Sequence, residues 1–273
     1  MAHDVMASLD RRLGIGHVPP GGATHGAQFP PAMRHYEWVQ VVGKGSFGQA
    51  VLIRDKRDKL HYIVKEVNMA QMSQRERRDS LNEISVLSKL NHPNIIKYHE
   101  SYEQKNILFI VMEYADGGDL WNLLQSRHTR DGGMRHLPET DVMNYFLQIS
   151  MALKHMHDLK MLHRDLKTGN IFLTAQGVVK MGDFGISTIL LNTAALAHTV
   201  CGTPNYFSPE MCQGKPYNNK ADIWALGCIL YELMAGHLAF QGSNMQDLYS
   251  RITQCKLSPL PELFSPELRH FCQ

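Results

Sequence analysis

The stretch HRDLKTGN, residues 163–170, places an acid (Asp165), a base (Lys167) and an amide (Asn170) close together, then runs into the apolar Ile171, Phe172 and Leu173. That order suits neither a surface helix nor a core strand. It suits a loop that points side chains into a cleft. Asp165 can accept a hydrogen bond from a substrate hydroxyl and orient it. Lys167 can neutralise a phosphoryl group in flight, and Asn170 offers a neutral oxygen to a magnesium ion. Thirteen residues after Asn170, GDFG supplies Asp183 to the same metal, provided NIFL and VVKM form a short hairpin between them. Magnesium takes one or two protein carboxylates plus phosphate oxygens, so few protein ligands suffice. Phosphoryl transfer asks mainly for placement and charge neutralisation. Five specified positions of this kind arise by chance on the order of 10⁻⁴ times in a chain of this length. Asp165 and Asp183 are therefore not read as surface acids.

A second constellation lies upstream. GKGSFG spaces Gly43, Gly45 and Gly48 as G-x-G-x-x-G, a pattern expected about 0.1 times by chance and weak alone. Its glycines fall between two strand-like stretches, which departs from dinucleotide-binding folds and suits a hairpin lying over phosphates. In YIVKEV, alternation puts Ile63, Lys65 and Val67 on one strand face. A lysine between apolar neighbours on a half-buried face needs an anionic partner. Glu83, on the following helix, is the candidate, and the pair is expected to contact nucleotide phosphate.

The elements that must hold these groups come in two kinds. YEWVQVVGKG, AVLIRD, HYIVKEV, IIKYHESYE and ILFIVMEY carry strand patterns, with one helix over MSQRERRDSLNEISVLSKL. Ser73 and Glu76 match a capping box, and Leu81, Ile84 and Leu87 recur at helical spacing. After ADGGD the pattern is helical. Val142, Phe146, Ile149, Leu153 and Met156 form one stripe, and NKADIWALGCILYELMAG is apolar nearly all round. Before the first of these, SRHTRDGGMRHLP reads as a long, flexible insert. The expected fold class is α+β: a small lobe over 36–114 with a five-stranded antiparallel sheet and one helix, and a mainly α-helical lobe over 115–273, with a cleft between. Residues 1–35, rich in glycine and proline without an apolar face, are expected to be a disordered extension.

A formal net charge of +2 is too mild to argue for nucleic acid or a membrane surface. No apolar run reaches the ~18 residues of a membrane span. The five cysteines form no C-x-x-C pair, which argues against a disulfide framework or zinc site and for a reducing compartment.

With GKGSFG, YIVK, Glu83, HRDLKTGN, DFG and SPE in order, the chain resembles a eukaryotic protein kinase over about 36–273. HPNIIKYHESY, FIVMEYADGGDL, CGTPNYFSPE and KPYNNKADIWALGCILYEL are similar to the NIMA-related (NEK) serine/threonine kinases. The resemblance implies a bilobal protein-kinase fold and transfer of the γ-phosphate of ATP, with Mg2+, to serine or threonine hydroxyls of proteins. It implies that Gly43, Gly45 and Gly48 cover the ATP phosphates and that Lys65, paired with Glu83, reaches the α/β-phosphates. Met112 would be the gatekeeper, Glu113 and Ala115 would offer hinge backbone groups, and Ile63 and Leu173 would sandwich the adenine. Asp165 would be the catalytic base, Lys167 would serve the γ-phosphate, and Asn170 and Asp183 would bind magnesium. Asp222 would anchor the catalytic loop and Thr203 would shape the substrate site. Phosphate on Thr199 would pair with Arg164 as a control device. Family roles imply cytoskeletal, centrosomal or basal-body partners and a cytoplasmic, cytoskeleton-associated or nuclear place. The family continues past Gln273 into a helix whose arginine pairs with Glu210; without it a weakly active ATP-binding scaffold is the alternative expectation.

Overall fold

Strand alternation and one amphipathic helix build the first half of the protein. The computed structural model describes residues 29–45, 48–70, 72–182, 203–215 and 218–273. Strands β1 (Tyr36–Gly45), β2 (Gly48–Asp55), β3 (His61–Asn68), β4 (Tyr98–Gln104) and β5 (Ile107–Glu113) form one antiparallel sheet in the order β1-β2-β3-β5-β4. Helix α1 (Gln74–Leu87) connects β3 to β4. Ser73 stands just before it and accepts the Arg77 N–H on its carbonyl at 3.0 Å. The buried row of α1 is Ser80, Ile84 and Leu87, at i, i+4 and i+7; Leu81, expected on that stripe, is 43% exposed.

The sheet buries both faces. Val67, Leu108 and Ile110 join Met69, Ile84 and Leu87 in the main core. Val51, Ile53, Tyr62, Val64, Phe109 and Val111 form a second cluster on the other face, closed by Met33. The expected boundary at residue 35 is therefore too late. Pro31–Met33 forms a 3-10 turn, and Met33 is fully buried against the sheet. The strand pattern of YEWVQVVGKG places the start of order at Tyr36, whereas a single buried methionine in a glycine- and proline-rich stretch has no period to reveal it. Met33→Ala is expected to cost about 2–5 kcal/mol, as for other large-to-small core changes, seen as a lower urea midpoint. An unchanged midpoint would show that residues 29–35 do not stabilise the lobe.

The second half is mainly helical: α2 (Leu120–Gln125), α3 (Glu139–Asp158), α4 (Pro209–Cys212), α5 (Asn219–Ala235), α6 (Met245–Thr253) and α7 (Pro266–Cys272), with strands β6 (Ile171–Leu173) and β7 (Val179–Met181) paired as a hairpin. The expected stripe on α3 is buried at Val142, Ile149, Leu153 and Met156. Helix α5 is the central post. Asn218 caps its start by accepting from Lys220 N–H, Gly236 ends it at φ 78°, and it is buried at most positions, Asp222 and Glu232 included. The insert between α2 and α3 folds as a hairpin, with Thr129 N–H donating to Gly133 O and Arg135 N–H to Arg127 O. Its His128 and His136 rings donate to Gly236 O and Met234 O, both at 3.0 Å. They satisfy carbonyls that the end of a helix leaves unpaired. Among the described residues no helix is long and apolar enough to cross a membrane.

Candidate active site

The loop after α3 is shaped by Asp222 of α5. Its carboxylate accepts the His163 N–H at 3.0 Å, the Arg164 N–H at 3.1 Å and the His157 ring N–H at 2.8 Å. Arg164 takes φ 69°, the left-handed region that a non-glycine residue enters only when its surroundings impose it. Two bonds to one fully buried carboxylate supply that constraint. Asp222 therefore bonds the backbone of the two residues that precede Asp165.

The pinned loop then turns Asp165 between two partners. Lys167 Nζ lies 2.8 Å from Asp165 Oδ2. The Asn170 amide donates to the same oxygen at 2.9 Å and to Asp165 O at 2.7 Å. A one-turn 3-10 segment, Thr168–Asn170, sets the spacing, and Asn170 N–H closes on Lys167 O at 3.0 Å. The three residues expected to act together are therefore in contact. Asn170 spends its amide donors on Asp165, which leaves its Oδ1 as the atom able to meet a cation.

Two cavities flank this cluster. The larger, about 550 Å³, is lined by Val42, Ala50, Ile63 and Lys65 from the first three strands, Met112 and Glu113 from the end of β5, Ala115 just beyond it, and Phe172 and Gly182 from the β6–β7 side. Gly182 N–H donates to Asn170 O at 3.0 Å, so the cluster adjoins this cavity. The smaller, about 220 Å³, is bordered by Trp121, Lys167, Gly169, Thr203 and Leu238. Lys167 thus stands at one cavity while its neighbour Asn170 touches the wall of the other. Of the residues expected at the site, Ile63, Lys65, Met112, Glu113 and Ala115 line the larger cavity and Thr203 the smaller, while the Glu113 N–H is already bonded to Lys97 O at 2.8 Å. No described residue bonds the Ala115 backbone, which leaves its N–H and C=O for a ligand.

Leu173 is a correction. It is 5% exposed and belongs to the core, while Phe172 faces the cavity. Strand parity gives the reason: β6 buries residues 171 and 173 and turns 172 outward. Asp119 was also missed. It lines the larger cavity, caps α2 by accepting the Asn122 N–H at 2.8 Å, and burial raises its carboxyl above the usual range. Its place after a Gly-Gly pair and before an apolar helix was the available signal.

The glycine hairpin is β1–β2, with Gly45 opposite Gly48 and Gly43 opposite Ala50. Only glycine fits at position 48: φ is 154°, and a Cβ would stand 1.7 Å from Glu66 O. Glu83 falls in α1 with its side chain outside the described residues, as are Asp183 and Thr199 entirely. Arg164 is exposed. Glu210 is half-buried on α4, and no described side chain pairs with it. Half-burial leaves it short of the full cost expected for a buried, unpaired carboxylate.

The family model described as protein kinase domain matches residues 36–273. Serine/threonine-protein kinase Nek1 of Mus musculus is 47% identical over 237 residues, covering 87% of this chain and 19% of that protein. Nek5 of Homo sapiens is 46% identical over 237 residues, covering 86% and 33%. Serine/threonine-protein kinase nekl-2 of Caenorhabditis elegans is 44% identical over 242 residues, covering 87% and 68%. The chain spans about a fifth to a third of the length of the first two relatives. The chain belongs to the protein kinase family, in its NIMA-related (Nek) serine/threonine branch.

Proposed function

We propose that this chain transfers the γ-phosphate of ATP to serine or threonine hydroxyls of protein substrates. The observation that carries the reading is Asp165 held between Lys167 and Asn170, on a loop tied to Asp222, at the junction of two cavities. The larger cavity suits the nucleotide: apolar walls from Val42, Ala50, Ile63 and Phe172 for a flat base, backbone groups at Ala115 that no described residue bonds, and Lys65 for phosphate. Asp119, at its edge, can accept from hydroxyls of the sugar. The smaller cavity, beside Lys167 and Thr203, suits the segment that carries the accepting hydroxyl.

In the reaction the hydroxyl proton passes toward Asp165 as the oxygen attacks the γ-phosphorus, and the bond from that phosphorus to the β–γ bridging oxygen breaks, so that ADP leaves. Lys167 keeps Asp165 oriented and offers positive charge to the phosphoryl oxygens. Asn170 Oδ1 fits a magnesium ion, a hard cation satisfied by few protein oxygens. When bound, that ion neutralises charge on the phosphates.

Control by phosphate on Thr199 rests on exposed Arg164, whose guanidinium makes no ion pair with a described residue. The added charge of about −1.5 to −2 would draw it in. Active protein that maps as unmodified at Thr199 removes this device. Cytoskeletal, centrosomal or basal-body substrates, and a cytoplasmic, cytoskeletal or nuclear place, rest on family likeness.

The test is a peptide array with radiolabelled ATP and Mg2+. Label on serine- and threonine-containing peptides, and not on tyrosine-only ones, is expected. ATP binding without transfer to any peptide would instead favour a non-catalytic scaffold.

A further inference from the structure

Helix α5 buries two acids in an otherwise apolar surface, Asp222 at 0% and Glu232 at 1% exposure. They are ten residues apart, about 15 Å along the helix axis. Asp222 holds the start of the catalytic loop. A buried carboxyl persists only where hydrogen bonds compensate its loss of water, and those of Glu232 lead to the same loop. Its Oε1 accepts the Thr168 hydroxyl at 3.2 Å and its Oε2 accepts the Tyr206 hydroxyl. The two hydroxyls lie 3.0 Å from each other, closing a three-membered ring of contacts. Thr168 is 1% exposed and Tyr206 8%.

We propose that Thr168 and Glu232 are positioning residues for phosphoryl transfer, clamping the catalytic-loop turn to α5 and, through Tyr206, to the segment that borders the substrate-side cavity. The proposal rests on the kinase reading above. Thr168 sits between Lys167 and Asn170, the two residues that grip Asp165, and Asn170 N–H closes the turn on Lys167 O at 3.0 Å. Fixing Thr168 therefore fixes both grips. Tyr206 N–H donates to Thr203 O at 3.1 Å, so the same clamp reaches Thr203 at the smaller cavity. Asp222 and Glu232 then hold the loop at two points from one rigid helix.

The clamp has a proton-dependent part. Burial pushes the Glu232 carboxyl up to about 7, against the pull of its two hydroxyl donors. Tyr206 faces it from the substrate-side segment and Thr168 from the loop, and the Cys228 thiol stands one turn earlier on α5. From α3, His157 is committed to Asp222 at 2.8 Å. From α7, Cys272 comes near Cys228, with its own thiol pushed up to about 11 by burial. Lys167, adjacent to Thr168, is turned to Asp165. Ionised, the carboxylate accepts from both hydroxyls at once. Protonated, it must donate through one oxygen and gives up one acceptor site. The grip tightens as pH rises through about 7.

Three comparisons test this. Thr168→Val, nearly isosteric, is expected to lower kcat about tenfold while KM for ATP moves less than about twofold, and Thr168→Ser is expected to restore the rate. Glu232→Gln is expected to abolish the rise of kcat with pH near neutrality. Urea unfolding of Thr168→Val, Glu232→Gln and the double variant, read without any substrate, is expected to be non-additive. Equal kcat for Thr168→Val and wild type, a pH profile unchanged by Glu232→Gln, or additive stabilities would each overturn the clamp. A wild-type protein that transfers no phosphate would count against the kinase reading, and the unfolding cycle would still decide the contact.

Discussion

Asp165→Asn is expected to lower kcat about 10³-fold, within the range of about 10²–10⁴ for a positioned general acid or base. The substitution keeps shape and one acceptor oxygen. The Asn170 amide can still donate to the backbone carbonyl of residue 165, where it now donates at 2.7 Å. What is lost is the charge that draws the hydroxyl proton and holds Lys167. Stability should change little, because the Lys167–Asp165 pair is partly solvated, at 26% and 18% side-chain exposure. ATP affinity should also hold, since Asp165 does not line the larger cavity. Steady-state kinetics with a serine peptide, beside calorimetric ATP binding, would show both. A kcat within about threefold of wild type would remove Asp165 from the chemistry.

Asp222→Ala is expected to damage both folding and turnover. It strips acceptors from the His163 and Arg164 N–H groups and from the His157 ring in a fully buried site. Removing one member of a buried charged network costs about 3–5 kcal/mol, and each orphaned donor costs about 1–3 kcal/mol if it finds no water. Arg164 would then relax from its left-handed backbone, and Asp165, its neighbour, would move with it. The kcat should fall by about 10² or more, as expected of misplacement at a reacting group. Asp222→Asn should be milder in stability, since it keeps volume and one acceptor. A urea midpoint and kcat both near wild type for Asp222→Ala would show that the loop holds its own shape.

What the sequence revealed follows from where each residue's partners lie. The catalytic loop was legible because Asp165, Lys167 and Asn170 contact one another within a single turn. Ile63 and Lys65 were legible because a strand repeats every two residues. The same rule on β6 puts Leu173 in the core and Phe172 in the cavity. Leu81 shows the looser hold of helical spacing: a stripe can rotate by one residue when a small polar group such as Ser80 turns inward. Thr168 and Glu232 could not be paired from spacing at all, because 64 residues separate them. Nor could Met33, whose contacts are made across the sheet. Asp222 was placed by likeness to a family, and the structure supplies its reason: two backbone donors that no local element could satisfy.

The central claim is that the Lys65-lined cavity and the Asp165 cluster serve one reaction centre. The most direct measurement is kcat/KM for Lys65→Met, Asp165→Asn and the double variant. If both groups act on one transferring phosphoryl group, the double variant should be about as slow as the slower single, because groups that act as a unit are strongly non-additive. Fully multiplicative losses would mean two independent roles, and would contradict the account.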